Sequence, residues 1–485
     1  MKKVKILYPI LVFSFLMVYF IALHPIAAFD TDDWIYVCNP RIPLPLIGEW
    51  NPTKVFPEFF YHLFSDLGAF FIYPVINNYC YSLSISNGLF ICFIMTVYFS
   101  EFYFLIGMKY RSELKTSLLV GVIFPGLHFC ALAPNGNDMV FPLYAYDLNC
   151  IYNYVLCTLL NAALVMHMMR YGGFEKWGTF SRRHRVLLIL WIYFAIFSNL
   201  YSTVVLAAYV SVELLSELTD ALRNKRFSLK DYCSSCKVSL IVLAVWLVSF
   251  LVELTGERAA YHSELLLDET LFTAKSMLKW LYSMNRLFIL LVAVVAVVGA
   301  ALFKKINNLR ATKSVLALCL TTIYIVLLTA YVDSSYIERA DVMLPVMFWG
   351  LFLLMILLCE IAEIIRLKNI VLCLLALICV TGSVYYSTHF KEINYAHIPY
   401  KKCVAFVDDV ITQFQDAERN GQTQTDLVLP VFYTEDNWPI ADYADLTFAN
   451  MMYHHRLTDT LITVKNMVFT EEKNRQLEIP ADIQP

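Results

Sequence analysis

Charged residues are scarce in this sequence. Asp, Glu, Lys and Arg make up 16% of the chain and hydrophobic residues 59%, whereas about a quarter of the residues in a soluble globular protein are charged. This deficit excludes an ordinary soluble protein and predicts a polytopic membrane protein. The net charge of −3 gives no basic excess, so a nucleic acid partner is not expected.

Several other patterns are missing from the sequence. No Gly/Ser-rich linker or low-complexity tract interrupts the chain, and no inverted repeat of the kind found in secondary transporters is evident. Cys233-Ser-Ser-Cys236 has metal-site spacing, but neither a second cysteine pair nor a histidine cluster accompanies it. We interpret this pair as part of a cytosolic loop.

Apolar runs of spanning length are abundant instead. The first run is longer than the core of a signal peptide, so it predicts an uncleaved helix. Basic residues mark the cytoplasmic ends; they place the N-terminus inside and segments 29–84, 134–148, 255–286, 333–341 and 389–485 outside. The runs predict about eleven transmembrane helices, at 7–28, 85–107, 117–133, 149–169, 186–198, 203–219, 238–254, 287–302, 314–332, 342–359 and 370–388.

The first outer loop, 29–84, begins with three acids in the stretch FDTDDW, at Asp30, Asp32 and Asp33. Crowded carboxylates raise one another's pKa unless a cation offsets their charge. A carboxylate with a raised pKa suits a general base, whereas a carboxylate cluster can also hold a divalent cation. The alternative is a structural role, in which these acids cap a helix.

The same loop continues with KVFPEFFYHLFSDLGAFFIYPVI. Its apolar residues recur with helical spacing, and Glu58, His62, Ser65 and Asp66 fall on the opposite face. This pattern predicts a helix that lies at the outer membrane–water boundary. The last segment, 389–485, alternates amphipathic helices with the short apolar run DLVLPVF, which predicts a small outer α+β domain.

This layout resembles the GT-C glycosyltransferases, and most closely the phage-encoded, serotype-converting O-antigen glucosyltransferases of the Gtr type. The resemblance covers the whole chain in layout. It is carried by the stretch from FDTDDW to EWNPTKVFPE and by YIERADVMLP. It implies an all-α, GT-C-like polytopic fold, with a catalytic region over 1–388 and a periplasmic domain over 389–485.

The resemblance also implies an activity. Such an enzyme moves glucose from undecaprenyl phosphate-glucose to a sugar of lipid-linked O-antigen on the periplasmic side of the bacterial inner membrane, with inversion. A companion donor synthase and a flippase would supply the lipid donor. The implied base is a carboxylate after the first helix, so Asp32 is the first candidate, Asp33 the second and Asp30 the third.

The leaving phosphate requires cations, and the arginine fork suits phosphate oxygens. Arg339, at the outer end of the tenth helix, is the main candidate, and Arg41 and Arg258 are further candidates. Glu49 and Glu58, two further acids of the first outer loop, are also candidate substrate-binding residues. No cofactor is implied with certainty, and a divalent cation stays an open alternative.

Two other functions fit the same compartment: a transporter or flippase of lipid-linked sugar, and an O-antigen polymerase. A transporter concentrates ionisable residues near the bilayer midplane, but the charges here collect at the predicted outer rim. A polymerase is expected to carry its arginines in one large later loop. The sequence therefore favours the transferase.

Overall fold

Helices form most of the chain in the computed structural model, which describes residues 2–107, 113–131, 143–223, 228–261, 267–302, 306, 309–364, 368–387 and 390–483. The helices up to the middle of the chain are α1 Lys2–Met17, α2 Thr31–Cys38, α3 Val55–Leu67, α4 Tyr73–Ile76, α5 Tyr79–Leu105, α6 Leu114–Cys130, α7 Leu148–Cys150, α8 Cys157–Tyr171, α9 Arg182–Ile196 and α10 Leu200–Arg223. Short π-helical segments extend α1 and join α3 to α4 and α7 to α8.

The remaining elements are α11 Leu229–Ser235, α12 Lys237–Glu253, α13 Leu267–Tyr282, α14 Arg286–Ala301, α15 Leu309–Val332, α16 Ala340–Ile364, α17 Lys368–Ser387, α18 Tyr400–Arg419, β1 Gln424–Pro430, α19 Asp445–His454, β2 Thr463–Thr470 and α20 Glu471–Leu477. Each predicted transmembrane segment therefore coincides with a helix.

Fewer than eleven of the described helices are both long and apolar enough to count as candidate membrane spans. Among the described residues, seven helices meet both criteria, or up to nine if two sharply bent pairs each count as one span. The apolar parts of α6 and α17 are too short, and one of the seven is the stretch from Val55 to Ile76. The chain thus has the helices of a multi-pass membrane protein, whereas eleven crossings stay a prediction.

The predicted break within 186–219 is present, since α9 ends at Ile196 and α10 begins at Leu200. The turn between them is buried, and its Asn199 side chain accepts a hydrogen bond from the Tyr201 N–H at 2.9 Å. Asn161 of α8 donates to the Ala195 carbonyl at 3.0 Å. These bonds satisfy polar groups that the break would otherwise leave buried and unpaired.

The stretch α3–α4 lies against the first half of α5. Its contacts with α5 run from Phe56 against Phe90 to Tyr73 against Tyr79. Tyr79 and Phe90 are eleven residues apart in α5, which corresponds to a rise of about 16 Å along the helix. The stretch α3–α4 therefore covers a length of α5 equal to about half of a hydrocarbon core of ~30 Å.

The polar face of α3, with Glu58, His62 and Ser65, is buried against the protein. Leu63, Leu67 and Phe71 of the predicted apolar face are exposed, whereas Phe56, Phe60 and Phe64 pack on Phe90.

The C-terminal segment contains the predicted mixture of helix and strand. Strands β1 and β2 pair in parallel from Gln424 opposite Thr463 to Pro430 opposite Thr470, with one irregularity after Thr425. The buried side of α18, which includes Phe406 and Phe414, supplies much of the apolar core of this segment. Its hydrophobic spacing follows the helical period, as expected for a surface helix with one buried face.

This C-terminal segment docks directly on the acidic stretch. The Thr31 hydroxyl donates to the Pro439 carbonyl at 3.0 Å and accepts from the Ala441 N–H at 2.8 Å. The Phe29 ring packs edge-to-face on Phe406, with ring centroids 5.3 Å apart. The fold therefore brings residues separated by most of the chain to one place, beside the acids.

Candidate active site

Helix α2 begins in the middle of the acidic stretch. Asp30 occupies its N-cap position, and the Asp30 carbonyl accepts from the Asp33 N–H at 2.9 Å, but the Asp30 side chain makes no capping bond. The Asp33 carboxylate reaches back instead and accepts from the Phe29 N–H at 3.0 Å. An acid in the first turn that bonds to backbone before the helix is a known stabilising device.

Asp33 has a structural role, because both of its carboxylate oxygens accept hydrogen bonds from the backbone. It is fully buried, and its second oxygen accepts from the Asn149 N–H at 2.7 Å. Burial raises the Asp33 pKa well above its ordinary value, the nearby Asp147 raises it further, and the two backbone N–H groups oppose this shift. Asp33 thus joins the start of α2 to the segment before α8, which leaves its carboxylate no free oxygen for a substrate.

Asp30 is also fully buried. One of its oxygens accepts from the Tyr395 N–H at 3.1 Å, and the other has no hydrogen-bond partner in the part of the chain that the structure describes. Burial, followed by the neighbouring carboxylates of Asp33 and Asp147, raises the Asp30 pKa well above its ordinary value. A buried carboxyl with a raised pKa is readily held in its protonated form.

Asp32 differs from both neighbours because it is only half-buried. Its carboxylate makes no hydrogen bond or ion pair with the residues that the structure describes. Burial raises the Asp32 pKa, while the positive charges of Lys54 and Arg258 lower it. Of the three acids, Asp32 is therefore the one that combines a free carboxylate with nearby cations.

The two cations come from segments that are distant in sequence but packed together. The Thr53 N–H donates to the Glu253 carboxylate at 3.1 Å, and the Thr53 hydroxyl bonds to the same group. Gly256 lies so close to the first loop that an added Cβ would be 2.8 Å from the Pro52 Cδ. Only glycine permits this approach, which sets Arg258 beside the residues that precede α3.

Lys54 is the more deeply placed of the two cations. It is 7% exposed, and its ammonium makes no ion pair or side-chain hydrogen bond within the described ranges. Burial and then the charge of Arg258 lower the Lys54 pKa to about 8, against the opposing effect of Glu253. A buried cation without an ion pair is costly; Glu253 and Glu58 offset part of this cost, and an anion bound from outside would offset more.

A fourth acid, Asp147, lies in the same cluster. It caps α7, where its side chain accepts from the Cys150 N–H. Burial raises the Asp147 pKa to about 6, with a further rise from Asp32 and an opposing effect of Arg339. The pKa of Asp147 is therefore closer to neutral pH than that of an ordinary carboxyl, although its oxygens are engaged by Cys150.

Arg339, the main arginine candidate from the sequence, forms an ion pair with Asp341. Its guanidinium makes two hydrogen bonds to the Asp341 carboxylate, at 3.1 and 2.7 Å, and Asp341 is buried. The Tyr146, Tyr154 and Tyr336 rings surround the guanidinium at 4.8–5.0 Å, where aromatic faces attract a cation. Arg339 thus borders the site while most of its donors are engaged.

The other predicted residues of the first loop border the acid–cation cluster, and the charge of Glu58 opposes the lowering of the Lys54 pKa. Arg41 forms an ion pair with Glu58 and donates to the carbonyls of Asn51 and Pro52, each at 2.9 Å. These bonds shape the loop that leads to Lys54. Glu49 is exposed, and its carbonyl oxygen packs against Gly256.

Two charged members of the cluster were not selected from the sequence, namely Lys54 and Asp147. Lys54 directly precedes the predicted interfacial helix, and Asp147 directly precedes a predicted span. A charged residue at such a boundary is common, so neither position has a signal that distinguishes it from a solvated end. Their burial beside Asp32 is what identifies them.

No protein-family model, curated protein or solved structure matches the chain.

Proposed function

We propose that the chain is an inverting glycosyltransferase that moves glucose from undecaprenyl phosphate-glucose to a sugar of lipid-linked O-antigen. The observation that carries the proposal is the free Asp32 carboxylate beside the Lys54 and Arg258 cations. A base and an anion-binding pair, placed together at the edge of an apolar helical bundle, are what this transfer requires. Glucose, rather than another hexose, rests on the sequence resemblance.

In the proposed reaction, Asp32 takes the proton of the acceptor hydroxyl. The acceptor oxygen then attacks the anomeric carbon of the donor, and the bond from that carbon to the phosphate oxygen breaks. Lys54 and Arg258 hold the phosphate as its negative charge grows. Phosphate leaves with little need of protonation, so one base and the cations suffice, and inversion follows from a single displacement.

The surrounding residues position this machinery. Asp33 fixes the start of α2 by its two backbone bonds, and this orients Asp32 in the same helical turn. Asp30 bonds to Tyr395 and so holds the C-terminal segment against the acids. Arg339, which is bonded to Asp341 and surrounded by three tyrosine rings, lies near Asp147 and lowers its pKa.

The proposed location is the bacterial inner membrane, with the N-terminus cytoplasmic, the C-terminus periplasmic and the site at the outer leaflet. The course of α3–α4 supports this arrangement. Near its start Thr53 bonds to Glu253 at the end of α12, and further along Asp66 bonds to His455 of the C-terminal segment. Both contacts belong to the predicted outer side, as expected for a stretch that lies at the outer membrane–water boundary.

An apolar groove of about 520 Å³ between α1, α6 and α17 offers a place for the lipid of the donor. Its walls include Leu11, Phe15, Leu118, Val122 and Val384. Prenyl chains have no polar groups, so an apolar wall is the matching surface. A companion synthase and a flippase would deliver the donor to this side of the membrane.

The test of the proposal is transfer in cells. Bacteria that make unmodified O-antigen would express the donor synthase and the flippase, with or without this chain, and mass spectrometry would measure glucose on the O-antigen. We expect glucose to appear only when the chain is present. Unmodified O-antigen, in cells whose membranes contain the chain and the lipid donor, would contradict the proposal and favour a transporter.

The pH dependence of donor binding should report the Lys54 ammonium. A lysine binds an anion when protonated, so affinity is full below the Lys54 pKa of about 8 and is lost as the pH rises above it. We expect the KM for the lipid donor to rise about tenfold for each pH unit above this value. Lys54→Arg should retain a low KM at high pH because arginine stays charged.

The control for this pH profile is Lys402→Arg, which changes a lysine of the C-terminal segment whose ammonium bonds to the Glu478 carbonyl. It should reproduce the profile of the unmodified chain. Identical profiles for Lys54→Arg and the unmodified chain would show that another group controls donor binding.

A further inference from the structure

A second cluster of polar side chains joins α3 to the C-terminal segment, away from the acids. Asp66 lies at its centre. The His62 Nε2 is 3.3 Å from one Asp66 oxygen, and the His454 Nε2 and His455 Nε2 are 3.0 and 3.1 Å from the other. Three imidazoles therefore converge on a single carboxylate.

The hydrogen bonds of His62 indicate that a positive charge is missing between its neutral imidazole and the Asp66 carboxylate. The His62 Nδ1 is 3.2 Å from the Val37 carbonyl, which only accepts, so this nitrogen carries the proton. In the neutral ring the Nε2 then presents a lone pair toward the Asp66 carboxylate. Two electron-rich atoms 3.3 Å apart repel each other unless a positive charge lies between them.

His455 has a different and complete set of partners. Its Nε2 donates to Asp66 at 3.1 Å, and its Nδ1 accepts from the Tyr79 hydroxyl at 2.5 Å. It is 0% exposed as a side chain. His455 thus orients the Asp66 carboxylate and leaves His62, His454 and Asp66 as the set with atoms available to bind a ligand.

We propose that His62, Asp66 and His454 form a binding site for a divalent transition metal of the Zn²⁺ type. Two imidazoles and a carboxylate are typical ligands of zinc. Their ligand atoms lie within 4.8 Å of one another, whereas tetrahedral zinc ligands are about 3.4 Å apart. The His62–Asp66 and His454–Asp66 separations, 3.3 and 3.0 Å, are of this size but end on different Asp66 oxygens. The ion would therefore bind both oxygens, or a rotation of the side chains would bring one oxygen to both histidines.

The surroundings of the three residues match those of known metal centres. Metal-bound histidines usually donate their other nitrogen to a carbonyl or carboxylate, as His62 does to Val37. A cavity of about 650 Å³ reaches His454 from outside, so an ion has a route to the site. Arg456 also lines this cavity, but its guanidinium lies 5.9 Å from the Phe70 ring centroid, over the face of the ring.

Metal binding would link α3 to the C-terminal segment. His454 ends α19 of the C-terminal segment and His62 and Asp66 belong to α3, so one ion would tie two parts of the chain that lie far apart in sequence. The same C-terminal segment bonds to Thr31 and Asp30. The ion would therefore stabilise the docking of the C-terminal segment on the acidic stretch. This role does not depend on the transferase activity.

The test is metal content and stability of the purified full-length chain. After purification in detergent with metal-depleted buffers and addition of Zn²⁺, elemental analysis should find one zinc per chain. Zn²⁺ should also raise the unfolding temperature of the unmodified chain, and a chelator should reverse this rise. X-ray absorption at the zinc edge should show nitrogen and oxygen ligands that include two imidazoles.

Variants separate this site from adventitious binding. His62→Ala and His454→Ala should each lower zinc affinity at least tenfold, whereas His184→Ala, a histidine that pairs with His167 elsewhere, should retain it. No zinc on the unmodified chain, or equal affinity in His62→Ala and His184→Ala, would overturn the proposal. In that case His62 carries a second proton and the cluster is a hydrogen-bonded ion pair.

Discussion

Asp32→Asn is expected to lower the rate of glucose transfer by about 10²- to 10⁴-fold, the usual contribution of a general base. Asparagine keeps the size of the side chain but cannot take a proton from the acceptor hydroxyl. The Asp32 carboxylate has no partner among the described residues, so its loss breaks no bond of the fold. The amount of folded protein in the membrane should therefore not change.

Asp33→Asn is the matched comparison, one position along the same helix. Its carboxylate accepts from the Phe29 and Asn149 N–H groups, and an asparagine amide can accept only on its oxygen. A buried N–H left without an acceptor costs about 1–3 kcal/mol. We therefore expect Asp33→Asn to lower the unfolding temperature as well as the activity.

The two variants together distinguish catalysis from folding. Initial rates of transfer and unfolding temperatures would be measured for both in the same detergent. If Asp32→Asn retained full activity, Asp32 would not be the base, and Asp147, whose pKa burial raises to about 6, would be the next carboxyl to test.

Arg258→Gln is expected to lower kcat/KM for the lipid donor by about 10- to 100-fold. A hydrogen bond to a charged group contributes about 1.5–3 kcal/mol, and the charge on the leaving phosphate grows toward the transition state. Arg258→Lys keeps the charge but loses the planar fork, so it should recover part of the activity. Steady-state kinetics with varied donor concentration would measure both effects.

The control for Arg258 is Arg419→Gln, which removes an exposed arginine that pairs with Asp416 in the C-terminal segment. Exposed ion pairs contribute little, so this variant should match the unmodified chain. Equal kcat/KM in Arg258→Gln and Arg419→Gln would exclude Arg258 from phosphate binding. Arg339 would be the next candidate, although its removal also leaves the buried Asp341 carboxylate without its ion-pair partner.

Helix positions and the acidic stretch could be predicted from the sequence because both are local patterns. A run of apolar residues is sufficient to indicate each long helix, and three acids after the first run indicate a special site. The interruption between α9 and α10 was also predictable, since a single long helix would have put basic loops on the wrong side. The number of membrane spans stays a prediction, because several of these helices are short or bent.

The division of roles among the three acids could not be predicted. Asp32 and Asp33 are adjacent, and only their long-range partners separate them: Asn149 holds Asp33, whereas the cations Lys54 and Arg258 lie near Asp32. Likewise, nothing local connects His62 and Asp66 with His454. Contacts between residues hundreds of positions apart depend on how the whole chain packs, and a single sequence carries no direct signal of them.

The most direct test of the central claim is acceptor-dependent consumption of the lipid donor by the purified chain. Undecaprenyl phosphate-glucose and lipid-linked O-antigen would be supplied in lipid nanodiscs, and both the released undecaprenyl phosphate and the anomeric configuration of the new bond would be measured. We predict release that requires the acceptor, inversion at the anomeric carbon, and loss of both signals in Asp32→Asn. A donor that stays intact, or transfer that survives in Asp32→Asn, would contradict the account.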